Sequence, residues 1–318
     1  MATADTILKH IGSGRYSDVF TLSTGRQSVI MKLSYYRDNT LCDFVSKLRH
    51  GDAEGARQAK NRDSIMVSAS FANATNALIA SRASPHFVFV YCHADCRGLL
   101  EKLAPLLKAR ARSSTKVQIK YNNACFMEAM SCDMTKWLRS SRGLTDAQVR
   151  PALFAVLYTL AVLQKTYPGF RHNDLSTNNV LVKRLRAPMP LGYTFDGARY
   201  YAAPTAFMAI SDYDFTHVPR HPTLSNERVA NGKYKVTETP NKTYDTHFFL
   251  KSVLKTLGKR KVTLPSTAAF LKSLPFESED RLDTVEVTGM DPATLLRHPY
   301  FAPLRVSSFP PGTETYAA

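Results

Sequence analysis

The sequence predicts an α+β fold with a small β-rich N-terminal part and a larger, mainly helical C-terminal part. Runs of β-branched and other apolar residues are typical of strands, and they lie at 28–32, 87–91 and 123–130. Longer apolar runs with helical spacing predict helices at 64–82 and 148–165. We therefore expect an N-terminal part over 1–130, a C-terminal part over 131–302 and a flexible tail over 303–318.

Composition limits the classes of partner. The chain has 318 residues, 44% of them hydrophobic, which is enough for a large core in one domain or two lobes. The formal net charge of +16 and the isoelectric point of about 9.7 favour anionic partners, such as a nucleotide, an acidic protein or a nucleic acid. The single tryptophan and the dispersed charge argue against a dedicated nucleic-acid module.

Cysteine usage and the N-terminus favour a soluble, intracellular protein. Five cysteines in a long chain argue against a secreted disulfide scaffold. Cys92, His93 and Cys96 resemble metal ligands, but no second pair follows at zinc-finger spacing, so reduced thiols are the simpler interpretation. Residues 1–12 lack the apolar core of a signal peptide, and the apolar run 152–163 is too short to span a bilayer.

A glycine-containing loop near the N-terminus predicts phosphate binding. Gly12 and Gly14 allow backbone amides to approach an anion, and an extended run begins at Val19. A second β-branched run then ends at Lys32, whose ammonium group would reach phosphate oxygens. Each feature has a simpler explanation, an ordinary hairpin turn for the glycines and a solvated strand end for Lys32. Together they favour a phosphate site.

Four polar or irregular segments interrupt this pattern. In the segment 35–62 a short helix is predicted over 40–48, and the remainder reads as an insertion or loop. The segment 98–120 is basic and reads either as a solvated amphipathic helix or as a docking surface for an acidic partner. We expect an irregular insertion over 184–206 and an exposed, substrate-facing loop over 216–243.

The stretch 169–182 carries the strongest chemical signal. A helical run precedes it, a β-like run follows it, and Asp174 and Asn179 lie in the polar turn between them. This pattern predicts phosphoryl transfer, in which Asp174 accepts or orients a hydroxyl proton and Asn179 holds a divalent ion. Asp212, at the end of a short predicted strand, would be a magnesium ligand because hard cations prefer carboxylate oxygen. The alternative for either aspartate is a capping role in a turn.

In this order, the motifs resemble the eukaryotic-type protein kinase superfamily over roughly residues 8–302. The motif residues are Gly12, Gly14, Val19, Lys32, Met127, Glu128, His172, Asp174, Asn179, Asp212, Asp245 and the 296–301 segment. The residue sequences at 171–174, 212–215 and 244–249 are most similar to those of the divergent serine/threonine kinases of large DNA viruses.

The resemblance implies a bilobal kinase-like fold that uses ATP and Mg²⁺. Asp174 would be the catalytic base and Lys32 would position the phosphates. Asn179 and Asp212 would hold Mg²⁺, and Asp245 would brace the catalytic loop. The other cofactor-binding residues would be Gly12, Ser13, Gly14, Val19, Ile30, the gatekeeper Met127, Glu128 and Met130. A viral kinase of this kind would act on a protein substrate, possibly an acidic one, in the host cytoplasm or the virion.

Several positions depart from the kinase pattern. No carboxylate lies between residues 64 and 84 to pair with the strand lysine, which leaves open a catalytically weak pseudokinase scaffold. Asn173 replaces the usual arginine, and Ser176 stands where serine/threonine kinases usually carry a lysine. A small-molecule phosphotransferase of the choline or aminoglycoside type and a non-catalytic nucleic-acid binder are further alternatives. The expected function is transfer of the ATP γ-phosphate to serine or threonine hydroxyls of proteins.

Overall fold

The computed structural model divides the chain into two compact units. The N-terminal unit comprises Met1–Asn73, Phe89–Ala129 and Pro222–Arg228, and the C-terminal unit comprises Ala74–Val88, Met130–His221 and Val229–Ala318. Within them the structure describes residues 6–14, 17–25, 27–36, 40–107, 120–140, 143–230, 239–259, 264–277 and 286–318. The divisions between the units fall after residues 73, 88, 129, 221 and 228, and the functional parts expected over 1–130 and 131–302 stay predictions.

A five-stranded antiparallel sheet forms the N-terminal unit, in the order β1-β2-β3-β5-β4. Its strands are β1 Thr6–Ser13, β2 Ser17–Thr24, β3 Gln27–Tyr35, β4 Val90–Arg97 and β5 Tyr121–Glu128. Strand β3 shows why the sheet has two different faces. Met31 and Leu33 are buried in the core against Phe20, whereas Ile30 and Lys32 alternate to the opposite face.

Three helices form over residues 40–80, although much of the segment 35–62 had been expected to be an insertion or loop. They are α1 Thr40–Arg49, α2 Ala53–Asn61 and α3 Ser64–Ala80. The helices α1 and α3 were predicted, but the interpretation of the remaining polar residues as a loop is wrong for α2. Asp52 caps α2 by accepting the Gly55 N–H at 2.8 Å, and burial of alanines such as Ala59 holds this small helix in place.

Only the edges of the basic 98–120 segment are described. A short helix, α4, covers Leu99–Leu103 and a 3₁₀ turn covers Ala104–Leu106, with Leu100 and Leu107 buried in the sheet core. The lysines and arginines at 108–116 lie outside the described residues. The strand predicted at 87–91 begins instead at Val90, and Phe87 forms an isolated parallel bridge with Ile210.

The C-terminal unit is built around a central helix. Helix α5 covers Met134–Ser140 and α6 covers Asp146–Thr166. Helix α6 is long and apolar enough to cross a membrane, which the 152–163 run did not suggest, but 72% of its apolar window is buried inside the protein. Side chains such as Leu153, Phe154 and Leu157 are fully buried. The helix is therefore packed as the core of this unit, and the remaining elements pack around it.

The segment 184–206 is not an irregular insertion. Strand β7 covers Val180–Arg184, β8 covers Leu191–Phe195 and β9 covers Ala198–Ala202. The strands β8 and β9 form a hairpin because Asp196 and Gly197 both adopt positive φ, at 46° and 79°. The Asp-Gly pair is the sequence signal for this turn. Strand β6, Cys132–Asp133, and strand β10, Ala206–Ile210, pair with the two sides of β7.

The remaining described elements belong to the C-terminal unit, except that Glu227 and Arg228 at the start of the first helix belong to the N-terminal unit. They are α7 Glu227–Ala230, α8 Tyr244–Leu257, α9 Pro265–Ser273, α10 Pro292–Leu296, a 3₁₀ turn Pro299–Leu304 and β11 Glu314–Ala317. The expectation of a flexible tail over 303–318 is wrong, since β11 pairs in parallel with β8. Tyr316 is buried with its ring centroid 6.4 Å from that of Tyr193. Apolar burial and strand pairing together order this segment.

Candidate active site

Asp174 and Asn179 are in direct contact in the turn between α6 and β7. The Asn179 amide nitrogen donates to the Asp174 carboxylate at 3.0 Å and to the Asp174 backbone oxygen at 2.7 Å. Asp174 is exposed and Asn179 is half-buried. The turn therefore fixes the orientation of the carboxylate and still leaves it accessible to another molecule.

Asp245, at the start of α8, holds this turn from below. It is 1% exposed, and its two carboxylate oxygens accept the N–H groups of His172 at 2.7 Å and Asn173 at 2.9 Å. Asn173 adopts a left-handed φ of 65°, which brings two successive N–H groups to one carboxylate. Burial raises the pKa of Asp245, and nearby His172 and the backbone donors oppose that shift. The brace predicted for Asp245 is confirmed.

Ser211 joins the Asp174 turn to the segment that carries Asp212. Its N–H and hydroxyl both donate to the Asn179 backbone oxygen, at 2.9 and 3.1 Å, and its own carbonyl oxygen lies 3.0 Å from His172 Nε2. The pairing of Ile210 with Val180 sets the two segments side by side. Asp212 follows directly, with a left-handed φ of 68°. No motif had indicated Ser211, because its role depends on strand register.

The electrostatics of Asp174 suit a proton acceptor. Desolvation by the surrounding protein raises the pKa of its carboxyl group, although the residue as a whole is exposed, and the charges of Asp212 and Asp245 raise it further. His172 and the Asn179 hydrogen bond act in the opposite direction. The net direction is upward, as a group that must take up a proton requires.

The oxygen atoms around Asp174 suit a hard divalent cation. The Asn179 amide nitrogen is used toward Asp174, so the amide oxygen is the atom of this side chain that could bind a cation. The Asp212 carboxylate is close enough to repel the Asp174 charge. Among the residues that the structure describes, no group of three or more His, Cys, Asp or Glu side chains could hold a metal by itself. A cation here would need additional oxygen ligands from a bound substrate.

Predicted nucleotide-binding residues share one face of the N-terminal sheet. Val19 pairs with both Gly12 and Lys32, and Ile30 pairs with Met127. Directly paired residues project to the same face, and so do positions two apart on one strand. The Gly14 N–H donates to the Ser17 oxygen at 2.8 Å, next to Ser13 in the same loop. Arg15 and Tyr16 lie outside the described residues.

Glu128 ends strand β5 with two contacts to Phe89. Its N–H donates to the Phe89 oxygen at 3.0 Å, and its carboxylate accepts the Phe89 N–H at 3.0 Å. These bonds fix the strand end where adenine recognition was predicted. Met130 is the first residue of its segment of the C-terminal unit, whereas Lys32 belongs to the N-terminal unit. The convergence of Lys32 with Asp174, Asn179 and Asp212 on one ATP therefore stays a prediction.

Helix α3 contains no carboxylate, in agreement with the sequence. The nearest acid before it is Asp63, which is buried and accepts the N–H groups of Ile65 at 2.8 Å and Met66 at 3.2 Å. Asp63 also accepts the Thr40 hydroxyl at 3.1 Å. Asp63 therefore caps the N-terminus of α3. Elsewhere, the cysteines considered as metal ligands, Cys92 and Cys96, are free.

Comparison with known proteins shows what this segment is similar to. A family model described as "Poxvirus serine/threonine protein kinase" matches residues 149–271, a segment that contains Asp174, Asn179, Asp212 and Asp245. This segment, which is less than half of the chain, is thus similar to viral serine/threonine protein kinases of the poxvirus type. The similarity confirms the resemblance that the motifs indicated.

A second similarity is to a protein of Acanthamoeba polyphaga mimivirus. A protein provisionally named a serine/threonine-protein kinase is 27% identical to this chain over 109 residues. The match covers 32% of this chain and 23% of the mimivirus protein, so the chain spans less than a quarter of that relative's length. This second match agrees with the resemblance to viral serine/threonine kinases and transfers no substrate or partner.

Proposed function

We propose that the protein is an ATP-dependent protein kinase that transfers the γ-phosphate to serine or threonine hydroxyls of protein substrates. The observation that supports this most strongly is the accessible Asp174 carboxylate, oriented by Asn179 at 3.0 Å on a turn that the buried Asp245 holds. The Asp174 carboxylate accepts a hydrogen bond from the Asn179 side chain of the same turn and remains open to solvent. A residue that only caps the turn does not require this accessibility.

In the proposed reaction, Asp174 orients the substrate hydroxyl and accepts its proton. The hydroxyl oxygen bonds to the γ-phosphorus while the bond to the β–γ bridging oxygen breaks, and ADP leaves. The raised pKa of Asp174 suits proton uptake, and Asn179 keeps the carboxylate aimed at the hydroxyl. Most of the rate enhancement would come from positioning and charge neutralisation.

Two residues would hold Mg²⁺, namely Asn179 through its amide oxygen and Asp212 through its carboxylate. The bound ion supplies charge neutralisation for the phosphate groups. Lys32 would contribute a fixed ammonium charge, from the sheet face that also carries Val19, Ile30 and Met127. A bilobal kinase-like fold and a soluble protein inside the host cell or virion are also part of this proposal.

The catalytic turn lacks an evident receptor for a regulatory phosphate. Arg171 is buried, with its guanidinium carbon 3.8 Å from the centre of the Tyr244 ring and a hydrogen bond to the Thr239 oxygen at 2.9 Å. Asn173 donates its side chain to the Phe215 oxygen at 3.0 Å. We therefore propose that activity does not depend on phosphorylation of the activation loop, which lies between Asp212 and Asp245.

Radiolabel transfer from ATP and Mg²⁺ to mixed acidic and basic proteins tests the proposed function. Asp174→Asn should lower turnover by at least roughly 100-fold, which is the contribution of a positioned base. Asp196→Asn is the matched control, because Asp196 is an exposed aspartate whose ion pairs with Lys165 and Arg297 lie on the surface. Near-normal transfer by Asp174→Asn would reject the assigned role.

A catalytically weak scaffold is the second candidate function, and the lack of any carboxylate on α3 favours it. A scaffold would bind ATP with Mg²⁺, or a protein partner, without transferring phosphate. Nucleotide binding measured by thermal shift, beside the transfer assay, separates the two candidates. Binding without transfer to any protein substrate would favour the scaffold.

A further inference from the structure

One side of helix α8 faces the Asp174 turn. Tyr244, Phe248, Lys251, Ser252 and Lys255 each lie three or four residues from another member of the set, which places them on one face of the helix. These five side chains line a pocket of about 530 Å³ together with residues 173–176 of the turn and Leu254. The pocket therefore opens beside the exposed Asp174 and lies entirely within the C-terminal unit.

Aromatic contacts fix one wall of the pocket. Tyr244 is buried, and its ring centroid lies 4.7 Å from that of Phe248. The Arg171 guanidinium packs against the Tyr244 ring at 3.8 Å. Leu175 is also buried. This wall is therefore apolar and held in place.

Ser252 ties the helix directly to the catalytic turn. Its hydroxyl oxygen accepts the Thr177 N–H at 2.9 Å, and the same hydroxyl donates to the Phe249 oxygen at 2.7 Å. The helix face and the turn thus cannot separate without loss of a hydrogen bond. Any group bound on this face would be held at a set distance from Asp174.

The charges of the pocket are asymmetric. Among the described lining residues, Lys251 and Lys255 are cations one helical turn apart, and Asp174 is the carboxylate. Lys255 is exposed and Lys251 is half-buried. An anionic group would be attracted to the lysines and repelled by Asp174, so it would occupy the end of the pocket away from the reacting hydroxyl.

We propose that this pocket binds an anionic side chain of the protein substrate, at a residue near the serine or threonine that is phosphorylated. The inference rests on the proposed kinase function and extends it, because it assigns Lys255 and Lys251 as determinants of substrate specificity. A basic side chain would meet two like charges, whereas an acidic one gains two favourable pairs. The chain's net charge of +16 acts in the same direction at longer range.

The geometry of an extended peptide sets the distance between the anionic residue and the target hydroxyl. Successive residues of an extended chain advance by about 3.3 Å, so an anion within a few positions of the target hydroxyl reaches a neighbouring part of the same pocket. Glutamate, aspartate and a previously phosphorylated serine share the required charge. The apolar wall at Tyr244 and Phe248 would contact the aliphatic part of the bound segment.

The test uses serine peptides that share one acceptor and differ only in their flanking residues, which are glutamate, phosphoserine, glutamine or lysine. Wild-type protein should phosphorylate the two anionic peptides with a kcat/KM about 3- to 10-fold above that of the glutamine peptide, as expected for exposed charge pairs. Lys255→Glu should abolish or reverse this preference. The KM for ATP should stay unchanged, and the preference is read as the ratio of kcat/KM between the anionic and glutamine peptides, so that a general change in turnover does not affect it. The ratio between glutamate and phosphoserine peptides identifies which anion is preferred.

Lys272→Glu is the charge-matched control, because Lys272 is an exposed lysine in the last turn of α9 and does not line the pocket. Fluorescence anisotropy of the labelled peptides provides a second readout that needs no catalysis. If anionic peptides bind, binding requires Lys255 and no phosphate is transferred, the kinase function is overturned and the pocket is retained. Transfer without a flanking preference, or a preference that persists in Lys255→Glu, would overturn the pocket and retain the kinase. Loss of both binding and transfer overturns both.

Discussion

The carboxylate of Asp245 accepts the backbone N–H of His172 at 2.7 Å, across 73 positions of sequence. Its second oxygen accepts the neighbouring N–H of Asn173 at 2.9 Å. A buried helix start and the turn that carries the exposed Asp174 are thereby joined by two hydrogen bonds to one carboxylate. Charge-assisted bonds of this kind are stronger than those between neutral groups, so this contact is the support on which the geometry of Asp174 depends.

Asp245→Asn should destabilise the C-terminal unit and lower activity. The substituted amide has nearly the same shape, but its nitrogen cannot accept one of the two N–H groups. A buried donor left without an acceptor costs about 1–3 kcal/mol. We expect the free energy of unfolding in urea to fall by that amount, and kcat to fall by about 10-fold or more. Unchanged kcat with unchanged stability would contradict the bracing role, and Asp196→Asn controls for loss of a surface charge.

Asn179→Ala should weaken the response to Mg²⁺. The substitution removes the amide oxygen assigned to the ion and the hydrogen bond that orients Asp174. The half-saturating Mg²⁺ concentration should rise, and turnover should fall by about 10- to 100-fold. The control is Asn178→Ala one position earlier, where the exposed side chain only accepts the Thr135 hydroxyl at 2.8 Å. Equal effects of both variants on the Mg²⁺ titration would remove Asn179 from the metal site.

Lys32→Met should raise the KM for ATP. The methionine keeps a long apolar side chain on the sheet face and removes the ammonium group. A charge-assisted hydrogen bond contributes about 1.5–3 kcal/mol, so the expected loss is roughly 10- to 100-fold in ATP affinity. Lys120→Met is the comparison, because Lys120 is exposed immediately before β5. If nucleotide titrations cannot distinguish the two variants, Lys32 does not bind the phosphates.

The stability of the C-terminal unit should fall in acid because of His86. This residue is fully buried, its Nδ1 lies 2.8 Å from the Met208 oxygen, and its Nε2 lies 2.8 Å from the Tyr193 hydroxyl. Burial lowers the pKa of His86 from 6.5 to about 4, against the effect of the Met208 carbonyl. The unfolded chain therefore binds more protons between those pH values, and stability present above pH 6.5 is lost as the pH falls toward 4.

The two pKa values correspond to a loss on the order of 3 kcal/mol across that interval. Urea unfolding measured from pH 7 to pH 4 should show this loss in the wild type. His86→Gln should unfold more easily at pH 7 and show a shallower dependence on pH. Parallel curves for the two proteins would mean that His86 does not remain neutral in the folded state.

The sequence by itself determined the order of the motifs and the main helices. The helices at 64–82 and 148–165 were predicted because their apolar spacing is a local property, and α3 and α6 confirm them. Asp174 and Asn179 were singled out for the same reason, since their spacing lies within one turn. The family comparison over 149–271 falls on the part of the chain where these local signals are densest.

The tertiary structure decided the contacts that join distant parts of the chain. Strand register placed Ser211 against Asn179, and helix packing set Lys255 beside the turn that carries Asp174. Pairing with β8 ordered β11, where the residues alone had suggested a tail. These contacts depend on which faces of distant segments pack against each other. Packing between segments a hundred residues apart produces no fixed residue spacing in the sequence, so local patterns do not reveal it.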